Sequence, residues 1–364
     1  MARLPWRAII GWAAVGWIIC LTFTLTNLAT TSDSLGGLVD ARHDQPTAPL
    51  LQREIGDSAT RDGGGHDGAF FYALAEAPLH PDEVQAYLDG PRYRAQRIFF
   101  PLVVWALHPT GGGPGLVDTM FVVGALGVLA GGIAMGALAA QWGGSPRWGV
   151  AFGLLPGSWI SLRISTPDPL ALALALLALL VLLRGHLVPA VLLAAAAVLT
   201  KEPLWLVPAG YALYRRDRDA LVFAAVPGLV AALWWLYLHQ TLPARYDNVP
   251  AFTTPFVGWE QSVRFWAGGA EPIGLLSFVL AVGLALAALV LRRGHPMWWT
   301  VVLNVALAAV ATADVLGPER NGSRTLMVLQ VVALIALATP AALPDARRRG
   351  KRRIGRPTGS LTTG

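Results

Sequence analysis

Residues 115 to 140, GLVDTMFVVGALGVLAGGIAMGALAA, run for 26 positions with Asp118 as their only charged residue. A helix rises about 1.5 Å per residue and the hydrocarbon core of a bilayer is about 30 Å thick, so roughly 20 apolar residues in a row predict a membrane-spanning helix. Comparable stretches recur along the chain, at approximately 8–28, 148–164, 168–184, 186–200, 203–214, 219–238, 272–291, 297–316 and 323–343. With the first, that makes ten, although the pair flanking Lys201 and Glu202 is short for two full spans. The apolar residues make up 54% of the 364 and the charged ones only 14%, which excludes an ordinary soluble domain. The expected fold class is therefore all-α, a polytopic integral membrane bundle of about ten helices over residues 1–343, followed by a basic, disordered tail at 344–364.

Charge orients the bundle. Arg3 and Arg7, the Arg215–Arg218 cluster, Arg292 and Arg293, and the tail from Arg347 to Arg356 fall on one side of a ten-span arrangement, which the positive-inside rule assigns to the cytoplasm. That side carries 16 Lys/Arg against 3 Asp/Glu, and the other 12 against 19, so the net charges are +13 and −7. Both termini are then cytoplasmic, and the abundance of Ala, Gly and Arg beside scarce Lys suits a bacterial plasma membrane. The arrangement requires residues 97–112, with the short apolar run Ile98–Leu107, to form a juxtamembrane or re-entrant helix rather than a span. The first apolar run is longer than a signal-peptide core and reads as a retained anchor. Cys20, the single cysteine, lies in it, so neither a disulfide nor a cysteine-based metal site is available. The tail is expected to contact anionic lipid; with no aromatic interleaving it does not read as a nucleic-acid binder.

The one long hydrophilic segment, 29–96, holds 11 of the 22 acidic residues and lies on the outer face in this topology. Four other polar regions converge there: Arg163–Asp168, Lys201 with Glu202, the loop 239–271, and Pro318–Arg324. Charged groups at membrane depth are costly and mark sites or pathways. Within the long loop, Asp67-Gly68 precedes Ala69, Phe70, Phe71 and Tyr72, a pattern expected to form an amphipathic helix at the lipid interface. Asp67 there is either a general base or the helix cap. Arg92, Arg94 and Arg97 either grip a lipid phosphate or snorkel; Lys201, Arg320 and Arg324 either neutralise charge developing on a phosphate or snorkel, and the role of Arg163 is equally open. Asp168, between Pro167 and Pro169, is a second candidate acid or a cap. Most of the 14 tryptophans sit near span ends as an interface belt, with Trp259 and Trp266 as candidates for stacking on a substrate or framing a lipid groove. No nucleotide-binding motif and no histidine pair at helix-face spacing is present.

Asp67-Gly68-x-Phe70-Phe71-Tyr72-x-Leu74-Ala75, followed by Phe99-Phe100-Pro101-Leu102, resembles the first-loop pattern of the GT-C superfamily of polyprenyl-phosphate-sugar-dependent glycosyltransferases. The likeness is nearest to the PIG-V-like mannosyltransferases, although His66 stands where that branch has an aromatic residue and Val103-Val104 where it has Tyr-Pro. Arg163–Asp168 and Thr200-Lys201-Glu202-Pro203 are similar to further turns of the superfamily, and Glu319–Arg324 more weakly so. The resemblance implies a cell-envelope glycosyltransferase with a polyprenyl-phosphate-linked sugar as donor and a lipid or glycan acceptor. Asp67 and Asp168 would be the catalytic acids, with a divalent cation as a further option on the same pair. His66, Tyr72, Arg97, Arg163, Lys201, Glu202, Arg320 and Arg324 would bind substrate. A multi-pass transporter or lipid flippase, and a non-catalytic assembly partner of the same fold, are the alternatives.

Overall fold

The computed structural model describes residues 4–31, 34–62, 65–244, 251–268 and 271–340, so the basic tail lies outside the described residues. The described residues are predominantly helical. Helix α1 (Trp6–Thr31) leads into a loop unit of four short helices, α2 (Ala48–Glu54), α3 (Gly68–Glu76), α4 (Pro91–Ala95) and α5 (Phe99–Leu107). Two two-residue strands, Ala41–Arg42 and Thr60–Arg61, pair in parallel inside that unit. The bundle continues with α6 (Pro114–Gln141), α7 (Gly149–Leu154), α8 (Pro156–Arg163), α9 (Asp168–Leu183), α10 (Leu187–Thr200), α11 (Leu206–Arg215) and α12 (Arg218–Thr241). It closes with α13 (Val257–Ala267), α14 (Pro272–Leu291), α15 (Trp298–Val310), α16 (Ala313–Leu316) and α17 (Glu319–Leu337).

Among the described residues, four helices are long and apolar enough to cross a membrane: α1, α6, α12 and α14. The others are shorter or interrupted, and the interruptions have local causes. The stretch expected as one span at 148–164 is two helices, because Pro156 disfavours helical backbone at the residue before it and Leu155 is extended at ψ 136°. Likewise α15 stops at Ala311, with ψ 141°, before the single turn of α16. Small residues let the backbones touch where α1 crosses α7. A side chain on Gly153 would meet the Gly16 carbonyl oxygen at 2.2 Å.

Apolar side chains form two cores. One lies inside the helical bundle; the other holds the loop unit against the ends of α6 and α12 and contains Leu38, Leu50, Leu51, Phe70, Phe71, Tyr72 and Phe100 with Val117, Met120 and Leu238. Helix α3 therefore does not lie on a lipid surface, as its sequence led us to expect. Every residue from Gly68 to Ala75 is buried, with Phe71 edge-on to Phe100 of α5 at 5.9 Å between ring centroids. Its small and aromatic residues fill a protein core on all sides.

Candidate active site

Gly68 explains where α3 begins. A Cβ at this position would lie 2.4 Å from the Ile164 carbonyl oxygen, in the turn between α8 and α9. Only glycine allows that approach, and it brings the residue before it, Asp67, to the turn that leads into Asp168. That turn is itself constrained, since Ser165 adopts the left-handed conformation at φ 48°. Gly68→Ala is expected to cost about 1–3 kcal/mol by overpacking and to displace Asp67. A thermal melt of the purified variant in detergent would show it; an unchanged midpoint would refute the close-approach argument.

Asp67 does not cap α3, for its carboxylate makes no bond to the helix amides. One oxygen accepts from Arg94 of α4 at 2.9 Å, and the other from Arg324 of α17 at 2.8 Å. Arg94 also grips Asp89 through two nitrogens, both at 2.8 Å, and lies 4.1 Å over the Phe70 ring. Burial acts against ionisation of Asp67, but Arg94 and Arg324, with Arg97 behind them, outweigh it and hold the acid well below the usual carboxylate range. Asp67 is thus a carboxylate at any physiological pH.

Asp168 opens α9 and is paired with Lys201, at the end of α10, while Ser161 lies 3.5 Å away. The Arg324 guanidinium stands 3.6 Å from it, so this one side chain faces both acids. Arg97 donates to the Tyr93 hydroxyl at 2.8 Å and stands 3.4 Å from the Glu202 carboxylate. Asp67, Arg97, Asp168, Lys201 and Arg324 all line one cavity of about 520 Å³, together with Asp89, Arg92, Arg94, Trp235 and Asn321. Residues from seven separate stretches of the chain meet in it.

Other residues singled out from the sequence stand elsewhere. His66 is buried and contributes nothing to the cavity wall; Arg320 approaches its Nδ1 at 2.7 Å and Arg61 its Nε2 at 3.1 Å. Burial, Arg320 and Arg61 together push its pKa down to about 2, so the ring is neutral and can accept at only one nitrogen. Arg61 is in turn paired with Asp40. Arg163 donates to Asn27, the Gly37 carbonyl and Thr31, at 3.1, 2.6 and 2.8 Å, and so ties α8 to the end of α1. Arg92, although on the cavity wall, donates to the Leu242 carbonyl at 2.7 Å and so anchors the end of α12. Glu202 borders a second, apolar cavity of about 290 Å³ beside Gln96, Val198 and Trp234. Trp259 and Trp266 donate to the carbonyls of Ala308 and Gly317 and pack on Phe278, away from the cavity. Trp235 is the tryptophan on the cavity wall. Neither it nor Asp89 carries a local signal, since one sits in a run of span-end aromatics and the other in a Leu-Asp-Gly that reads as a turn.

Tyr72 faces away from the cavity and donates to Glu54 at 2.9 Å. Glu54 stands near Glu76, and burial together with the Glu54 carboxylate raises Glu76 from its usual 4.5 to about 8. A proton held on Glu76 removes the repulsion between the two carboxylates. Because the folded-state value is raised, this contribution is complete below about pH 4.5 and is lost as pH rises through about 8. Glu76→Gln, which keeps a donor and removes the titration, is expected to flatten the fall in melting temperature between pH 6 and 9. An identical fall in the variant would count against the raised titration of Glu76.

A divalent cation does not fit the acid pair well. The oxygens of Asp67 face Arg94 and Arg324, those of Asp168 face Lys201 and Arg324, and no three His, Cys, Asp or Glu side chains converge among the described residues. No protein-family model matches the chain, and neither a curated protein nor a solved structure matches it.

Proposed function

We propose that the protein is a membrane glycosyltransferase that moves a sugar from a polyprenyl-phosphate donor to a hydroxyl of a lipid or glycan acceptor on the outer face of a bacterial plasma membrane. In this reading the ten apolar stretches all cross, and both termini are cytoplasmic. The observation that supports it most is the meeting of Asp67 and Asp168, far apart in sequence, around one Arg324 on the wall of a single charged cavity. The resemblance of the Asp67-Gly68 loop to GT-C enzymes supplies the reaction class.

The acceptor oxygen attacks the anomeric carbon as the bond to the phosphate oxygen breaks, with inversion. The hydroxyl proton passes to Asp67, and the bonding pair leaves with the polyprenyl phosphate. Arg94, Arg97, Lys201 and Arg324 are placed to stabilise the charge that develops on that phosphate, the role preorganised cations serve best in a partly dry site. A carboxylate held by two guanidiniums is a weak base. A phosphate that takes up part of the Arg94 and Arg324 charge restores the proton affinity of Asp67 when the donor is bound.

Lipid-linked sugars and envelope glycoconjugates, compared between cells with and without the gene, test the reading. Loss of the gene is expected to accumulate one polyprenyl-linked sugar and to remove one sugar from a glycoconjugate. Unchanged composition of both pools would overturn it.

A further inference from the structure

The break between α15 and α16 lies at membrane depth. Helix α14 has 20 residues, about 30 Å at 1.5 Å per residue, and matches the hydrocarbon core. Its antiparallel neighbour α15, joined to it by residues 292–297, has 13 residues, about 20 Å, and ends well short of the far boundary. Side-chain contacts give the same depth independently. Trp259 donates to the Ala308 carbonyl at 2.6 Å and stacks edge-on against Phe278 at 5.0 Å. Phe278 lies six residues, about 9 Å, inside the Pro272 end of α14.

An interrupted helix in hydrocarbon leaves polar backbone that must find partners within the protein. The partners come from residues 251–256. Thr253 N–H donates to Val310 at 2.7 Å, Phe256 N–H to Ala309 at 2.7 Å, and Thr312 N–H to the Ala251 carbonyl at 3.2 Å. This segment, Ala-Phe-Thr-Thr-Pro-Phe, carries no charge, and Phe252 and Phe256 are 61% and 57% exposed. Phe256 holds the left-handed conformation at φ 70°, an unfavourable one for a bulky side chain. Leu276 and Val279 of α14 are likewise exposed. On the other side of the segment, Ala251 lines the charged cavity.

We infer that residues 251–256 form a re-entrant segment that dips into the outer leaflet, completes the interrupted α15–α16 span by backbone pairing, and presents Phe252 and Phe256 to the acyl chains. The loop expected between α12 and α14 is then partly a membrane element, and the cavity has a wall whose far side is lipid. The inference rests on the helices crossing a membrane and not on the chemistry proposed above, so the two fail separately.

Cys20 is buried and is the only cysteine, so Cys20→Ala with Phe252→Cys or Phe256→Cys allows a single bimane label on the full chain. In phosphatidylcholine–phosphatidylglycerol vesicles, lipids brominated on the acyl chain are expected to quench both labels at least twofold more than aqueous iodide does. Quenching by iodide alone would place the segment in water, and quenching by neither would place it under protein; each overturns the inference. The unaltered chain gives a second reading through phosphatidylcholine bearing an acyl diazirine. Adducts are expected on the peptide containing residues 251–256 as well as on α14, and adducts on α14 without any on that peptide would overturn the inference even if the cysteine variants misfold.

Discussion

Asp67→Asn is expected to lower sugar transfer by about a thousandfold or more, within the range that loss of a positioned proton acceptor produces, and to leave the protein folded. The fold should survive because neither arginine is stranded. Arg94 keeps its two bonds to Asp89 at 2.8 Å, and Arg324 keeps Asn321 at 2.7 Å and faces Asp168. Turnover of a polyprenyl-linked donor in vesicles, read beside a melting curve, separates the two effects. Retained turnover would remove Asp67 from the mechanism. The pH dependence has a definite sign. The native carboxylate titrates below its usual 3.8, so its contribution to stability is present above that value and is lost as pH falls through the depressed one. The gap in melting temperature between wild type and Asp67→Asn should therefore be flat from about pH 5 upward and close below about pH 4.

Arg324→Ala carries the largest expected structural effect. The guanidinium is about one tenth exposed and faces both Asp67 and Asp168; removing it leaves a half-buried and a buried carboxylate with one cation each, Arg94 and Lys201. Breaking a buried ionic cluster in this way costs about 3–5 kcal/mol, because the charge left behind is undercompensated. Transfer should disappear with it. Arg324→Lys keeps the charge but cannot span two acids with a point-like ammonium, so it should recover much of the stability while transfer stays about 100- to 1,000-fold down. If the stability loss comes from the stranded acids, adding Asp67→Asn to Arg324→Ala should return part of it, a coupling that a double-mutant cycle measures. A melting temperature for Arg324→Ala equal to that of wild type would refute the account.

The helices were legible from the chain alone, in a way the site was not. Each of the ten apolar stretches contains helix at nearly its expected place, from α6, expected at 115–140 and found at Pro114–Gln141, to α14, where the bounds coincide. Hydropathy and helix formation are local properties, readable in a window of about 20 residues. Continuity was less legible: Pro156, in plain view in the sequence, splits one stretch, and the break at Ala311 needs partners contributed from residues 251–256. The environment of α3 is not legible from its sequence, because Ala, Phe and Leu look the same whether lipid or protein surrounds them. It took the packing of the loop unit to decide between the two.

Sequence alone determined that this is a helical membrane chain with its acids gathered in one loop and a few turns. That much follows from composition, length and charge segregation. Which charge meets which was decided only by tertiary structure. Asp67 is paired with Arg94 and Arg324, His66 is withdrawn into the protein beside Arg320, and Asp168 is paired with Lys201. An ion pair forms between groups that the fold brings within about 4 Å, whatever their separation along the chain, and burial then sets how strongly each holds its proton. The pattern Asp67-Gly68 marks where an acid stands. The Ile164 carbonyl against Gly68, and Arg324 beyond it, determine what that acid faces.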